Sequence, residues 1–342
     1  MGGEHMAPAE RYGYSVARLR AMENRLLDEP LFQRLIECDG LDGAIKVLGE
    51  TVYAPWIMEM KSNEDFDSAI EAELHLAYDE ISRFTPDEEL VQLCRLAYDF
   101  HNVKVLVKSL ILSKEGGDRR FDLLTSLGTI DTDSLVMAVE SEEYRLLPFG
   151  LHRTIPQVLT HWDQNHDMLA VECALDRCLF EAMSDLVGKL SMPQVDLWFK
   201  RRVDAENVRT LIRLSRAQVE PSAAVDFLHK GGDISIDRLI STLAEPIESW
   251  GRLLAFADVG MVFDYIQDSS DMETLLMVFD KILDDYVTDV LEEAKYGCFE
   301  PENVLRFSWL KELEAKNLRV ILVSIANGAD RDMVRRLMRH VG

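Results

Sequence analysis

The sequence has 342 residues, 47% of them hydrophobic, so it can bury a large core and hold two or three folded units. Its 61 acidic and 37 basic side chains give a formal net charge of -24, which argues against nucleic acid as a partner. This acidity fits either a solvated surface or a face that receives basic segments of a partner. No apolar stretch reaches the roughly 18–20 residues that span a bilayer, and five scattered cysteines form no metal-binding pair. We therefore expect a cytoplasmic protein that reaches a membrane only through another protein.

The first clear element is an amphipathic helix over Glu64–Phe84, well after an arm expected at residues 1–10. Its apolar residues recur at steps of three and four, the spacing of one helix face. A second helix is predicted to open at Thr85-Pro86-Asp87-Glu88, with Thr85 as the cap and Glu88 completing a capping box. It should run to about Ser113, just before two glycines.

The rest of the chain continues in the same helical style. Alternating strand patterns are almost absent, and Ile130–Asp133 and Ile234–Ile236 could at most form short extended loops. We predict an all-α protein. The further long helices are expected at Met168–Leu190, Pro193–Arg216, Asp271–Ala294 and Pro301–Gly328.

Three phrases recur along the chain in the same order. The clearest is an asparagine followed by an aliphatic and a basic residue, within H-N-V-K-V-L-V, E-N-V-R-T-L-I and K-N-L-R-V-I-L. It places Asn102, Asn207 and Asn317 in matching positions, with Lys104, Arg209 and Arg319 two residues later. A glutamate at Glu73, Glu172 and Glu273 precedes each phrase, and a leucine, glycine and aliphatic series recurs at Leu35–Val47, Leu127–Leu135 and Leu228–Leu239.

The repeats predict three homologous helical units at residues 1–115, 116–220 and 221–342. A period of this length lets each unit carry its own core, unlike the short repeats of helical solenoids. Three related units tend to close around a pseudo-threefold axis and to leave a central concavity. Asparagine is a poor residue inside a helix, so each amide could satisfy the backbone of a neighbouring loop in its own unit, while the basic residues could line the concavity.

Catalytic patterns are missing from the sequence. Gly116-Gly117 lacks the spacing of a phosphate-binding loop, and a helix end explains it better. Glu71 and His75 form only one helix-surface pair, where a di-iron bundle needs two Glu-x-x-His motifs. The polar cluster at His161–Asp167 precedes a helix, where aspartate is favoured as a cap. We predict no enzyme, no metal site and no cofactor.

Three segments resemble one known family, the C/d subunit of the V-type and A-type ATPases. They are Y-S-V-A-R-L-R-A-M-E-N-R-L-L at Tyr14–Leu27, H-N-V-K-V-L at His101–Leu106 and W-L-K-E-L-E-A-K-N-L-R-V-I at Trp309–Ile321. The resemblance implies a funnel of three homologous helical domains with approximate pseudo-threefold symmetry. It also implies a non-catalytic central-stalk subunit, which takes the tip of the rotor shaft at one end. The broad end then sits on the membrane proteolipid ring, on the cytoplasmic face.

A second interpretation of the same helices is a free-standing scaffold or adaptor that binds a helical peptide in its concavity. Helical periodicity does not separate the two, and binding to the shaft subunits does.

Overall fold

The computed structural model describes residues 8–260, 262–263 and 272–341, with side chains from residue 11 and, in the last segment, from residue 278. Most of the arm expected at residues 1–10, the predicted helix start at Asp271 and the side chain of Glu273 lie outside this description. Within it, regular structure is entirely helical, as predicted, and no strand occurs.

The first six α-helices cover the amino-terminal third of the chain. Four helices of short or moderate length precede two long ones. They are α1 (Pro8–Glu23), α2 (Glu29–Ile36), α3 (Leu41–Leu48), α4 (Ala54–Glu59), α5 (Phe66–Phe84) and α6 (Glu88–Lys114).

The remaining helices repeat this order of short elements followed by a long pair. In the middle of the chain they are α7 (Thr132–Glu140), α8 (Leu151–Asn165), α9 (Met168–Leu190) and α10 (Pro193–Arg216). Towards the carboxyl end they are α11 (Ile236–Leu243), α12 (Trp250–Leu253), α13 (Met272–Glu292), α14 (Glu302–Ala326) and α15 (Arg331–Leu337). None of the described helices combines the length and the apolar character needed to cross a membrane.

The predicted start of α6 is wrong in its capping residues. Asp87, not Thr85, is the residue before the helix, and its side chain makes no capping hydrogen bond. Its carboxylate is instead taken by α1, where the Tyr12 hydroxyl donates to it over 2.5 Å and Arg11 forms an ion pair with it. The Thr85 hydroxyl is buried without a partner among the described residues. A contact with a segment 75 residues earlier has replaced the local cap.

The long helices pack in pairs that link successive parts of the chain. Helix α6 packs against α9, α10 packs against α13, and α14 packs against α5. The last pairing joins the end of the chain to its beginning. Consecutive long helices also touch, α5 with α6, α9 with α10 and α13 with α14, so the contacts form a closed circuit. Buried apolar side chains on these helices form one continuous core, which stabilises the circuit mainly by removing apolar surface from water.

Both ends of the described chain pack on this circuit. Arg20 of α1 donates hydrogen bonds to the carbonyl of Gly297 over 3.0 Å and to Asn303 Oδ1 over 2.8 Å, at the start of α14. Helix α15 contacts α2, and Arg331 there forms ion pairs with Glu37 and Asp39. Contacts of both chain ends therefore reinforce the seam, by which we mean the junction of the first helices, α1 to α5, with the last, α14 and α15.

Candidate functional site

Each repeated asparagine is fully buried and holds one backbone residue of a loop with two hydrogen bonds. The side-chain Nδ2 donates to a carbonyl, and Oδ1 accepts from the N–H of the same residue, at 2.8–2.9 Å in every case. The held residue follows 22 or 23 positions later. The side-chain amide thus pairs both backbone groups of a loop residue, which is buried at His229 and partly buried at Thr125 and Arg339. The pairs are Asn102 with Thr125, Asn207 with His229 and Asn317 with Arg339.

In two of the three cases these hydrogen bonds cross a predicted unit boundary. With boundaries after residues 115 and 220, Thr125 and His229 belong to the next unit along the chain. Asn102 and Asn207 therefore bond across a boundary, whereas Asn317 and Arg339 both lie in the last unit.

A buried carboxylate lies three residues before each of the first two asparagines and holds the same loop at a second point. Asp99 accepts from the N–H of Ile130 over 2.8 Å, and Asp204 accepts from the N–H of Ile234 over 3.1 Å. Burial raises the pKa of Asp99 and raises that of Asp204 to about 6, against the opposing effect of these hydrogen bonds. Each loop is thereby fixed to the long helix by two side chains one turn apart.

Two glycines make this close approach possible. A Cβ atom on Gly128 would lie 2.3 Å from Asp99 Oδ1, and one on Gly232 would lie 2.1 Å from Asp204 Oδ1. Both glycines belong to the recurring leucine and glycine phrase. Gly40, predicted as their counterpart, differs because its Cβ would meet nothing within 4 Å.

The carboxylate of the third set is Glu314, and it accepts from the start of the chain. Its Oε2 accepts from the N–H of Leu27 over 2.7 Å, as Asp99 and Asp204 do from Ile130 and Ile234. In each of the three sets, the residue that follows this N–H donor caps a short helix through its side chain. These caps are Asp28, Asp131 and Ser235. The third set is therefore divided between the two ends of the chain.

The contribution of Asp204 to the stability of the protein should fall as pH rises through the range set by its pKa. An exposed aspartate has a pKa of about 3.9, whereas burial raises that of Asp204 to about 6. Between these values the folded state keeps a proton that the unfolded chain has released. The resulting stabilisation, up to about 3 kcal/mol, is complete below pH of about 4 and is lost above pH of about 6.

Urea unfolding of the wild type and Asp204→Asn over this pH range tests that linkage. The wild type's unfolding free energy, minus that of the variant, should decrease as pH rises. A difference that stays constant would show that Asp204 does not titrate there.

The three basic residues of the repeated phrase each form an ion pair with an aspartate on the neighbouring long helix. Lys104 pairs with Asp176, Arg209 Nε lies 2.6 Å from Asp280 Oδ1, and Arg319 Nε lies 2.8 Å from Asp67 Oδ1. These pairs bridge the α6–α9, α10–α13 and α14–α5 contacts. Of the three, only Arg319 also lines the cavity described next.

A cavity of about 510 Å³ lies between α5, α6, α10 and α14. Its walls combine aromatic rings with charged side chains. Trp198 and Trp309 meet edge to face with ring centroids 6.1 Å apart, and the guanidinium of Arg202 lies 5.6 Å and 5.3 Å from those two centroids. On another wall, Glu312 accepts from the hydroxyls of Tyr78 and Tyr98. The cavity therefore offers aromatic surface and fixed charge together.

Sequence reasoning did not identify these cavity residues, although one signal was present. The residues five positions before the three asparagines are Ala97, Arg202 and Glu312, and all three line the cavity. The helical pattern marks Trp198 and Trp309 only as apolar positions. A comparison of equivalent positions across the three phrases would have shown which helix face turns inward.

The polar features considered for catalysis have local structural roles. Gly116 adopts a φ of 89° just after α6, a conformation that glycine favours at helix ends. Asp167 caps α9 by accepting from the N–H of Ala170, and Asp163 pairs with Lys114. No group of three or more His, Cys, Asp or Glu placed to hold a metal occurs in the part of the chain that the structure describes.

Comparisons with known proteins agree on one family over nearly the whole chain. The sequence model of the ATP synthase (C/AC39) subunit matches residues 15–337. The chain is 23% identical to the C subunit of the V-type sodium ATPase of Enterococcus hirae, over 94% of this chain and 96% of that protein. It is 26% identical to the C subunit of the V-type ATP synthase of Thermus thermophilus, over 92% and 94%.

An archaeal relative gives the same result. The C subunit of the A-type ATP synthase of Methanocaldococcus jannaschii is 24% identical, over 96% of this chain and 86% of that protein. Since the family model covers most of the chain, the resemblance expected from the three sequence segments is confirmed, and the chain belongs to the ATP synthase (C/AC39) subunit family.

Proposed function

We propose that this chain is the non-catalytic central-stalk subunit of a rotary V/A-type ATPase. In this proposal it couples the rotor shaft to the membrane proteolipid ring, on the cytoplasmic face, for proton or sodium transport. The relatives are named as the C subunits of such complexes, which supports this assignment. The observation that carries the shaft contact is a cavity lined by aromatic and charged residues between long helices of the closed circuit.

We further propose that the chain forms a funnel of three homologous helical domains, at residues 1–115, 116–220 and 221–342, with approximate pseudo-threefold symmetry. Three features that each occur three times support it. They are the asparagine clamp (Asn102, Asn207 and Asn317 with the loop residues they hold), the carboxylate clamp (Asp99, Asp204 and Glu314 with theirs) and the ion pair between neighbouring long helices. In a funnel of this kind the tip of the shaft enters the central cavity, and torque passes through the walls.

A binding assay with the two shaft subunits tests the proposal. The purified chain, mixed with them, should elute as one stable soluble complex in size-exclusion chromatography. The matched variants are Ala97→Trp, which adds bulk at an exposed position inside the cavity, and Ala223→Trp, which adds it at an exposed position outside. We expect the first to prevent complex formation and the second to leave it intact.

Two results would contradict the proposal. If the wild type binds neither the shaft nor membranes that contain the proteolipid ring, the coupling function is wrong, and a free-standing scaffold is the better interpretation. If Ala97→Trp binds as well as the wild type, the shaft does not enter this cavity.

A further inference from the structure

One cation in the cavity wall forms no ion pair among the described residues. Three basic side chains other than histidine line the cavity. Lys316 Nζ lies 3.1 Å from Asp284 Oδ2, and Arg319 Nε lies 2.8 Å from Asp67 Oδ1. Arg202, by contrast, forms no hydrogen bond or ion pair with any residue that the structure describes, and its Nε is buried without a partner. Its hydrogen-bond donors are therefore available to a ligand.

The acidic residues of the cavity form no ion pair with it, because each is already engaged by another group. Glu312, at the position equivalent to Arg202 on α14, accepts hydrogen bonds from both Tyr78 and Tyr98. The other two acidic side chains in the wall are held in the same way, Glu71 by the hydroxyl of Thr125 and Asp122 by Arg120. Burial lowers the pKa of the Arg202 guanidinium, whereas Glu206, Asp284 and Glu312 favour its charged form but act on it only at a distance.

The guanidinium is also held in place before any ligand arrives. It lies near the rings of both Trp198 and Trp309, a cation–π arrangement that restricts a flexible side chain. The Nε1 of Trp198 is a second buried donor without a partner in the described part of the chain. Unpartnered buried donors are rare in folded proteins and call for an acceptor. A guanidinium fork matches a carboxylate, which can accept two parallel hydrogen bonds from it.

We propose that Arg202 binds a carboxylate of the rotor shaft when the shaft tip occupies the cavity. This inference rests on the proposed shaft contact and names the group that the cavity recognises. The carboxylate belongs to an aspartate or glutamate near the tip or to the carboxyl end of a shaft subunit. The tryptophan rings then cover the apolar part of the same segment, and they exclude water from the charged pair, which strengthens it.

The test measures the dissociation constant of the complex between this chain and the shaft subunits. Arg202→Met should raise it about 10- to 100-fold, the effect of losing a hydrogen-bonded charge. The matched control is Arg213→Met, on the exposed face of the same helix, which should stay within about twofold of the wild type. Arg202→Lys, which keeps the charge without the fork, should give an intermediate loss and decides the matter if Arg202→Met does not fold.

The source of the carboxylate is found from the shaft side. Each acidic residue at the tip is changed to its amide, and in a separate arm the carboxyl end is amidated. One of these changes should weaken wild-type binding while having no effect on binding to Arg202→Met. Exchange of charges, Arg202→Glu with lysine at the responsible shaft position, should then recover binding.

The outcomes separate the two proposals. A wild-type chain that does not bind the shaft overturns the proposed function and this inference with it. A wild type that binds, together with folded Arg202→Met and Arg202→Lys variants that bind equally well, leaves the shaft contact standing and overturns the role of Arg202.

Discussion

Replacing Lys311 by methionine should lower the free energy of unfolding by about 3–5 kcal/mol, because it leaves buried carboxylates without a counter-ion. Lys311 is 3% exposed, and its Nζ lies 3.1 Å from Glu73 Oε1 and 2.7 Å from Glu314 Oε1. Those two glutamates are 4% and 0% exposed. In the variant they would be left buried together, with no cation between them.

The position of this network makes the loss global. Glu314 also accepts from the hydroxyl of Tyr53 over 2.6 Å and from the N–H of Leu27, and Glu73 accepts from Trp56 Nε1 over 2.9 Å. The network therefore ties α14 to α4, α5 and the connection before α2. The seam depends on such contacts, since α14 and α5 are far apart in sequence.

Urea unfolding followed by far-ultraviolet circular dichroism measures the effect. The control is Lys200→Met, which removes the exposed pair of Lys200 and Asp196 and should change stability by less than about 1 kcal/mol. A triple variant that adds Glu73→Gln and Glu314→Gln to Lys311→Met should recover part of the loss, since no unpaired charge remains buried. A single Lys311→Met variant as stable as the wild type would show that the network is solvated.

The long helices were the most predictable part of the fold. The bounds of Met168–Leu190 and Pro193–Arg216 were predicted to the residue, because an apolar stripe runs along each and Pro or Asp marks its start. The predicted cap of α6 was wrong, because Asp87 precedes the helix and its carboxylate accepts a hydrogen bond from Tyr12 on α1. Local sequence carries no information about a partner so far along the chain.

The third set of residues that hold a loop was also not predicted in full, because its members lie in both ends of the chain. The recurring phrase equates Gly40 with Gly128 and Gly232, whereas the hydrogen bonds relate Leu27 to Ile130 and Ile234. The copy is divided because Asn317 of α14 holds the backbone of Arg339, near the end of the described chain, whereas Glu314 of the same helix holds that of Leu27, near its start. A comparison that looks for each contact after its asparagine therefore does not relate Asn317 to Leu27, which comes earlier in the sequence.

The sequence predicted a concavity that Lys104, Arg209 and Arg319 could line, and of these only Arg319 lines the cavity. Arg202 and Trp309 lie on helices whose stripes of apolar residues extend over more than one face. Periodicity alone does not say whether such a residue faces the core or the centre. Packing of the long helices around one cavity decides it, and that packing depends on contacts between distant segments.

Replacing Asn207 by leucine should lower the free energy of unfolding by about 2–4 kcal/mol, since a donor and an acceptor lose their partners in a buried place. The N–H and the carbonyl of His229 both bond to Asn207, at 2.8 Å and 2.9 Å. Leucine has a similar size, so the loss reports the missing hydrogen bonds more than a cavity. Asn165→Leu, at an exposed site at the end of α8, is the matched control and should cost less than about 1 kcal/mol.

The corresponding variants of Asn102 and Asn317 extend this test to the three clamps. Each should be destabilised by a similar amount if the three asparagines have the same structural role. Asn317→Leu should in addition speed hydrogen exchange at Arg339, because the clamp of Asn317 holds the backbone there close to the end of the described chain. Asn207→Leu with unchanged stability but lost shaft binding would instead assign that asparagine to partner recognition, and the clamp would then be incidental to the fold.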